Sequence, residues 1–334
     1  YNRKKTSTRI MAKTLVKKKK SSSRLKISVI VACYKDAQAI PIMYARVVET
    51  FKALPASYEI IFVNDGSPDN SEEVIRKITK KDSNVVGINH SRNFSSQMAF
   101  TSGMDLATGN AVVFMDGDLQ DPPELIAEFF TFWQEGFDVV YGIRVQRDAP
   151  LIMQFFYKAF YRLFHSLSNI SIPLDAGDFS LIDRKVVEAM KLFPERDRFM
   201  RGLRAWVGFK QTGVPYVRPE RMFGVTTNSF LKNFQWAKKG IFSFSFVPLQ
   251  TMTLISLFFF FFAVIGILYQ LGVKFFYPDL TPPGVTTVII VILFLGAVQL
   301  LGLSLLGEYL GKVLEEVKQR PLYIRKSILR KKRK

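Results

Sequence analysis

Hydrophobic residues in the first half of the chain alternate between short continuous runs and longer stretches with helical spacing. The runs have the length of buried strands and lie over 26–32, 58–63, 84–89, 111–115 and 138–143. The helical stretches, where apolar residues recur every three or four positions, lie over 37–54, 71–80, 94–107 and 122–135. Strands that alternate with helices predict an α/β domain with a mainly parallel, doubly wound sheet.

Two long stretches in the C-terminal third contain no charged residue. One lies over 251–271 and the other over 285–306, with a short Pro-rich and Gly-containing loop between them. Each is long enough for an α-helix to cross about 30 Å of hydrocarbon. A pair of buried core helices would show a similar pattern, but the length without charge favours a two-helix transmembrane hairpin.

The excess of basic residues lies at the two ends of the chain. The 334 residues include 47 Lys or Arg and 28 Asp or Glu, a net charge of +19. Residues 1–26 hold 11 basic and no acidic residues, 312–334 hold 10 basic and 2 acidic ones, and the middle holds 26 of each. Nucleic-acid-binding domains usually carry the excess on their folded surface, so we expect no nucleic acid partner. The positive-inside rule instead places both termini and the α/β domain in the cytoplasm.

Some common kinds of site are excluded by residue counts and motifs. A single cysteine, Cys33, rules out a disulfide framework, and His90 and His165 are too far apart in sequence to suggest a zinc site. We expect both histidines to be structural or interfacial and Cys33 to be a packing residue. Neither GxGxxG nor GxxxxGK[ST] occurs, which excludes the usual dinucleotide fingerprint and the P-loop.

Acidic motifs follow two of the predicted strands. Asp116 and Asp118 flank a glycine directly after the fourth strand, and Asn64-Asp65-Gly66-Ser67 ends the second. Two carboxylates at this spacing can bind Mg²⁺ together with substrate phosphates, and Asp65 can accept a hydrogen bond from a base or ribose. Both motifs also make good turns. Ligands of doubly wound sheets bind beyond the carboxyl ends of the strands, which favours a nucleotide site here.

An ordered series of longer motifs resembles the family 2 glycosyltransferases of GT-A fold. The series is NDGS at 64–67, HSRNF at 90–94, FMDGDLQDPPE at 114–124, DAGDFSLIDRKVV at 175–187 and RFMRGLRAWVGF at 198–209. Together with the two apolar stretches, it is similar to the polyprenyl-phosphate glycosyltransferases. That group includes the bacterial polyisoprenyl (bactoprenol) phosphate glucosyltransferases and dolichyl-phosphate mannose synthase. The resemblance covers residues 26–311.

The resemblance implies roles for individual residues. Those that match nucleotide-sugar contacts are Ala32, Tyr34, Asp36, Asp65, Arg92, Asn93, Arg218 and Arg221. Those that match ligands of a Mg²⁺ or Mn²⁺ ion are Asp116, Asp118 and Gln120. Arg144 matches an arginine for the acceptor phosphate, and Asp178 lies in the motif near the reacting sugar. The implied catalytic residues are therefore Asp116, Asp118, Arg144 and Asp178.

The sequence departs from the family pattern at two places. Asn64 stands where the family usually has the first aspartate of a DDGS turn. After Gly224 the chain continues with Val225-Thr226-Thr227, where the family often has a lysine.

The implied enzyme is a metal-dependent, inverting hexosyltransferase. It would transfer glucose from UDP-glucose to polyprenyl (undecaprenyl) phosphate, yielding a lipid-phosphate sugar donor for modifying cell-surface glycans. It would be a multi-pass protein of the bacterial inner (plasma) membrane. One alternative is a GDP-mannose-dependent polyprenyl- or dolichyl-phosphate mannosyltransferase. Another is a processive family 2 polysaccharide synthase, although no QxxRW motif occurs. A non-enzymatic membrane scaffold is disfavoured by the intact DGD motif.

The chain divides into five predicted segments. They are a basic N-terminal tail at 1–25 (which an expression tag could partly explain), a cytoplasmic GT-A catalytic domain at 26–228, interfacial juxtamembrane helices at 229–248, two transmembrane helices at 249–308 and a basic cytoplasmic tail at 309–334. The aromatic stretch 151–167 also predicts an interfacial helix, although ordinary core packing would explain it and the juxtamembrane segment too.

Two further patterns lead to expectations outside the acidic motifs. Four arginines, Arg196, Arg198, Arg201 and Arg204, recur near helical spacing, and we expect a solvated or lipid-facing stripe. Small residues recur in the second apolar stretch; they are Gly296, Ala297, Gly302, Ser304 and Gly307. They favour close helix contacts and a homo-oligomer, although lipid-facing positions would also explain them.

Overall fold

The structure is a computed structural model that describes residues 25–145, 176–196, 198–223, 247–276 and 284–331. Its first half alternates strand and helix as predicted. The elements are β1 (Leu25–Cys33), α1 (Ala39–Lys52), β2 (Ala56–Asn64), α2 (Ser71–Lys81), β3 (Val85–His90), α3 (Ser96–Leu106), β4 (Ala111–Asp116), α4 (Ile126–Gln134) and β5 (Val139–Arg144). The five strands and four helices predicted from hydrophobic spacing are confirmed.

The second half adds three strands that the hydrophobic pattern did not predict. Its elements are β6 (Ala176–Asp183), α5 (Arg184–Lys191), α6 (Met200–Trp206), β7 (Gln211–Tyr216), α7 (Val247–Phe276), α8 (Val285–Val317) and β8 (Arg325–Leu329). The strands β6, β7 and β8 are missed because polar residues, glycine or proline interrupt their apolar pattern.

All eight strands form one sheet in the order β7-β5-β6-β4-β1-β2-β3-β8. The pairs β1–β2, β1–β4, β2–β3 and β5–β7 are parallel. Strand β6 lies between β4 and β5 and is antiparallel to both, and β8 is antiparallel to β3. Because β6 runs the opposite way, its first residues lie at the edge where the parallel strands end. This brings the DAGDF motif beside the acidic motifs.

Helices cover both faces of the central strands. On one face α1, α2 and α4 pack a core that includes Met43 and Phe129, and on the other α3, α5 and α6 pack a core that includes Phe100 and Leu203. Strand β1 is buried throughout from Ile27, which explains its continuous apolar run. Each fully buried large apolar side chain contributes about 1.5–3 kcal/mol of burial free energy. The two cores hold the strand ends rigidly in place.

Helices α7 and α8 differ from the others in exposing large apolar side chains. They contact each other through Phe259 and Phe294, whose ring centroids are 5.3 Å apart. Within the described residues, one helical segment, Phe294–Val317, is long and apolar enough to cross a membrane, and Thr251–Gly266 is a shorter apolar one.

Part of the predicted basic tail belongs to the folded domain. Strand β8 pairs with β3, and Ser327 accepts a hydrogen bond of 2.9 Å from the Asn89 side chain. The expectation that 309–334 is only a tail is wrong for this strand. Its basic residues are the ones that a solvent-facing edge strand commonly carries, so composition alone resembles a tail.

Several predictions fall on residues that the structure does not describe. The proposed interfacial helices at 151–167 and 229–246 lie outside the described residues, as do His165 and residues 1–24. The homo-oligomer stays a prediction.

Candidate active site

The predicted site residues gather at one edge of the sheet. Asp116 and Arg144 end their strands, Asp65 follows β2, and the β6 residue Asp178 lies near the start of its antiparallel strand. The turn after β4 is held close to β1, because the Gly117 amide donates a 2.8 Å hydrogen bond to the carbonyl of Ala32. The arrangement leaves the polar groups beyond the strand ends, where ligands of such sheets bind.

Asp118 is paired with arginines that arrive from beyond β7. Its Oδ2 lies 2.8 Å from Arg221 Nη2 and 3.9 Å from Arg218 Nη2, and its Oδ1 accepts a hydrogen bond from the amide of Gln120. Leu119 adopts a positive φ of 64°, which tightens the turn. The structure therefore brings Asp118, which is predicted to bind the metal ion, together with Arg218 and Arg221, which are predicted to bind the donor. These residues lie about 100 positions apart in the sequence.

Gln120 links the same two loops. Its side-chain Nε2 donates a 3.2 Å hydrogen bond to the carbonyl of Pro219. Its assignment as a metal ligand remains a prediction, but the structure assigns it a contact that holds the DGD turn against the arginine-bearing segment.

A second network lies beneath the DGD turn. Asp121 accepts hydrogen bonds from the Asp116 amide (3.2 Å) and from the Tyr216 hydroxyl (3.0 Å). The Tyr216 hydroxyl in turn lies 3.4 Å from Arg144 Nε, which donates to it. The sequence reasoning missed Asp121 and Tyr216 as site residues. Asp121 could have been found as a further carboxylate of DGDLQD, whereas Tyr216 carries no local signal.

Carboxylates crowd this part of the site. Burial, with Asp121 and Asp118 nearby, raises the pKa of Asp116 well above its ordinary value. Burial likewise raises the pKa of Asp36 to about 6, with Asp118 adding to the rise and Arg221 opposing it. Such crowding is relieved by a cation. Within the described part of the chain, no group of three or more His, Cys, Asp or Glu side chains is arranged to hold a metal ion.

Asp65 is buried and already holds its surroundings in place. Its Oδ1 accepts a 2.9 Å hydrogen bond from the Phe94 amide and lies 2.8 Å from Nδ1 of the buried His90. Gly66, at a φ of 62°, allows the turn, since a β carbon there would lie 2.3 Å from the carbonyl carbon of Arg92. The NDGS turn and the HSRNF loop are therefore packed against each other.

The departure at Asn64 has a structural reason. Its Oδ1 accepts a hydrogen bond from the Ser67 amide, and its Nδ2 donates one to Asn89 Oδ1. A carboxylate could make only the first of these bonds. The amide suits a position that must accept and donate at once.

The remaining donor-site candidates lie around this turn. Asp36 accepts a hydrogen bond of 2.9 Å from the amide of Tyr34, whose ring is 37% exposed. The guanidinium of Arg92 lies 4.0 Å from the Phe94 ring centroid, and Asn93 Oδ1 accepts from the Ser95 amide. An exposed aromatic ring beside polar loops can stack on a flat base.

Asp178 contacts side chains from two helices, α3 and α6. Its Oδ2 accepts a 3.0 Å hydrogen bond from Gln97, and its Oδ1 lies 3.3 Å from Arg201 Nε.

The expectation of a solvated arginine stripe is wrong for two of its members. Arg198 and Arg204 are each only 3% exposed. Arg198 donates to the carbonyl of Met190, and Arg204 donates to that of Gly177. Backbone carbonyls at element ends supply these partners, and the sequence does not show them.

Comparison with known proteins agrees with this architecture. The family model described as "Glycosyl transferase family 2" matches residues 28–190. The uncharacterized glycosyltransferase sll0501 of Synechocystis sp. is 42% identical over 90% of this chain and 94% of its own length. The uncharacterized glycosyltransferase YkcC of Bacillus subtilis is 42% identical over 91% of this chain and 94% of its own. The SfII prophage-derived bactoprenol glucosyl transferase of Shigella flexneri is 40% identical over 90% of this chain and 97% of its own length. The predicted GT-A α/β fold with a mainly parallel sheet and the prediction of a glycosyltransferase are confirmed, and the chain belongs to glycosyl transferase family 2.

Proposed function

We propose that this protein transfers a hexose, glucose from UDP-glucose, to the phosphate of a polyprenyl lipid such as undecaprenyl phosphate. The observation that carries the proposal is the contact between Asp118 and Arg221, which puts a metal-type carboxylate and a phosphate-type cation together beyond β4. The 40% identity to a bactoprenol glucosyl transferase over most of both chains supports the choice of acceptor and sugar.

The donor would bind across the ends of β1, β2 and β4. Tyr34, Asp36 and Asp65 would hold the base and ribose, with Arg92 and Asn93 in the loop above them. Arg218 and Arg221 would hold the diphosphate, because guanidinium groups match phosphate oxygens in charge and geometry.

Asp116 and Asp118 fit a divalent cation such as Mg²⁺ or Mn²⁺. Mg²⁺ commonly takes one or two carboxylates and completes its coordination with substrate phosphates, and these two belong to the crowded group whose charge a cation would balance. Gln120 would complete the set. When bound, the ion would neutralise charge on the departing nucleoside diphosphate.

The acceptor would be positioned by Arg144. A phosphate oxygen attacks the anomeric carbon, a new carbon–oxygen bond forms, and the bond to the diphosphate breaks with its electron pair leaving on the nucleotide. The acceptor phosphate is already an anion at pH 7, so the reaction requires orientation and charge stabilisation more than a strong base. A single displacement through an oxocarbenium-like state inverts the anomeric centre, giving a β-linked product from an α-linked donor.

A membrane location follows from the acceptor. We propose that α7 and α8 are two transmembrane helices, with residues 26–228 and strand β8 forming the catalytic domain and both ends of the chain on the cytoplasmic side of the inner membrane. The exposed Phe258, Phe262, Leu300 and Leu301 on these helices support the proposal. A lipid tail would remain in the bilayer while its phosphate reaches the site.

Membranes that contain the protein test the proposal directly. They are incubated with undecaprenyl phosphate, Mg²⁺ and either labelled UDP-glucose or labelled GDP-mannose, and the lipid is extracted. We expect label in lipid from UDP-glucose, none with Asp118→Ala, and a normal yield with the exposed control Glu128→Gln. Label only from GDP-mannose would identify a mannosyltransferase, and label in polymer would identify a processive synthase. No labelled product from any donor would refute the proposal.

A further inference from the structure

Two arginines of α6 contact three consecutive residues at the start of β6. Arg201 Nη1 donates to the carbonyl of Ala176 over 3.4 Å, and its Nε lies 3.3 Å from Asp178 Oδ1. Arg204 Nη1 donates to the carbonyl of Gly177 over 3.3 Å. Two positive side chains are therefore anchored by backbone carbonyls within a segment of three residues.

A third arginine reaches the same segment from the neighbouring strand. Arg144, at the end of β5, passes so close to Gly177 that a β carbon there would lie 2.9 Å from its Nη2. The missing side chain of Gly177 makes room for the guanidinium. Arg144, Arg201 and Arg204 therefore surround the first residues of β6.

Carboxylates lie near this group, Asp178 beside Arg201 and Arg204 and Asp121 near Arg144, but the arginine N–H groups outnumber the hydrogen-bond acceptors that the described residues offer them. Arg204 is 3% exposed, and its buried Nε and Nη2 have no hydrogen-bond partner among the residues that the structure describes. Within the described ranges, Arg201 Nε also makes no hydrogen bond despite its approach to Asp178, which is shared with Gln97. Burying donors that lack an acceptor is costly, and such groups in folded proteins call for an explanation such as a bound ligand.

Arg204 keeps its charge in spite of burial. Burial lowers the pKa of Arg204 to about 10, so the side chain is still protonated at neutral pH. Its guanidinium also lies 4.9 Å from the Tyr141 ring centroid, which stabilises a cation but offers no counter-charge.

We propose that Arg201 and Arg204, together with Arg144, form a binding site for the phosphate of the lipid acceptor. The inference rests on the proposed function and extends it to two residues of α6. Planar guanidinium groups that converge from two elements can each donate two hydrogen bonds to phosphate oxygens. The Arg201 side chain is 31% exposed, so a phosphate in solvent can reach it directly.

The acceptor phosphate is favoured over the donor diphosphate because of how the other arginines are placed. Arg218 and Arg221 lie against Asp118 in the DGD turn, whereas Arg201 lies against Asp178 in β6. The two pairs therefore have separate carboxylate partners. Two separate groups of cations suit a reaction in which both substrates carry phosphate.

Kinetics with each substrate varied in turn test the proposal. The full-length protein in detergent is compared with Arg204→Gln, Arg201→Gln and Arg204→Lys, and with Arg196→Gln as a matched control from the same segment. We expect the KM for undecaprenyl phosphate to rise at least tenfold in Arg204→Gln and severalfold in Arg201→Gln. The KM for UDP-glucose and the affinity for UDP should change less than twofold. Arg204→Lys should be intermediate, since it restores the charge without the planar donors.

Two kinetic results would contradict the proposed acceptor site. A lipid KM that is unchanged in both glutamine variants would overturn the proposal, and an equal loss of UDP affinity would assign the arginines to the donor. If Arg204→Gln does not fold, the lipid KM of Arg201→Gln still tests the proposal, because Arg201 is partly exposed. If the wild type transfers no sugar at all, the proposed function fails. Binding of inorganic phosphate, measured for the wild type against the glutamine variants, then tests the arginine site by itself.

Discussion

The imidazole of His90 lies parallel to the ring of Tyr323, with centroids 5.4 Å apart and planes within 7°. His90 Nδ1 lies 2.8 Å from Asp65 Oδ1. Tyr323 belongs to the segment between α8 and β8, so a contact chain runs from the region after the second long helix to the NDGS turn. If Asp65 holds the nucleotide base, the end of the chain helps to position it.

Loss of this ring contact should weaken donor binding. In Tyr323→Leu the stacking on His90 is removed, which is worth about 0.5–1.5 kcal/mol and corresponds to a rise of up to about tenfold in the KM for the nucleotide sugar. Tyr323→Phe keeps the ring and loses the hydroxyl contacts with Asp105 and Arg325, so its KM should stay near that of the wild type. Equal donor KM values for Tyr323→Leu and the wild type would show that the contact does not position Asp65.

Removal of the Asp118 carboxylate should abolish transfer while leaving the fold intact. Asp118→Ala loses a proposed metal ligand and the carboxylate that Arg221 contacts, so we expect a rate loss of about a hundredfold or more, since metal stabilisation is worth several kcal/mol. The measurement is the Mg²⁺ dependence of the purified enzyme, with Glu128→Gln as control. Normal metal-dependent transfer by Asp118→Ala would contradict the assignment.

Two glycines should respond differently to the same substitution. In Gly177→Ala the new β carbon would meet the flexible end of Arg144, which can move aside. We expect nearly unchanged thermal stability and a severalfold rise in the KM for the lipid acceptor. In Gly66→Ala it would meet the backbone of Arg92 at a positive φ, which costs about 1–2 kcal/mol before any clash. That variant should melt at a lower temperature. Thermal unfolding and acceptor kinetics of both variants distinguish these outcomes, and similar melting temperatures would contradict them.

Glu59 should make stability depend on pH. Burial alone would raise its pKa, but hydrogen bonds from Ser28 (2.6 Å) and the Thr108 amide (2.9 Å), with Lys26 nearby, outweigh burial and lower it. A lowered pKa in the folded state gives stability that is present above the ordinary glutamate value of 4.5 and is lost as pH falls through the folded value.

Replacement of the Glu59 carboxylate tests whether its ionised form stabilises the folded protein. Glu59→Gln should lower the free energy of unfolding by about 1–3 kcal/mol at pH 7, because a buried hydrogen-bonded charge is lost. The difference from the wild type should shrink as pH falls below 4.5. Thermal unfolding from about pH 2 to 8 checks this, since the range includes the values below 4.5 at which the contribution is lost, with the exposed Glu49→Gln as control. A difference that is constant with pH would show that Glu59 is not ionised in the folded protein.

The alternating half of the fold could be predicted because its signal is local. Strands such as β1 are buried on both faces and read as continuous apolar runs, and the helices show one apolar face. The same strands carry polar motifs at their ends, so Asp65, Asp116 and Asp118 could be placed at one edge before any coordinates were known. Burial next to the site also agrees with the expectation for Cys33, which lies in the core.

What the sequence determined was therefore the order of the first five strands and four helices, the family and the acidic edge of the site, since each depends on neighbours in the chain. Only the tertiary structure decided that β6 enters between β4 and β5 and that β8 closes the sheet beside β3. It also decided that Tyr216 meets Asp121 and that Arg204 is buried rather than solvated. These contacts join residues far apart in sequence. Their strength comes from desolvation and from partners such as backbone carbonyls, neither of which residue spacing encodes.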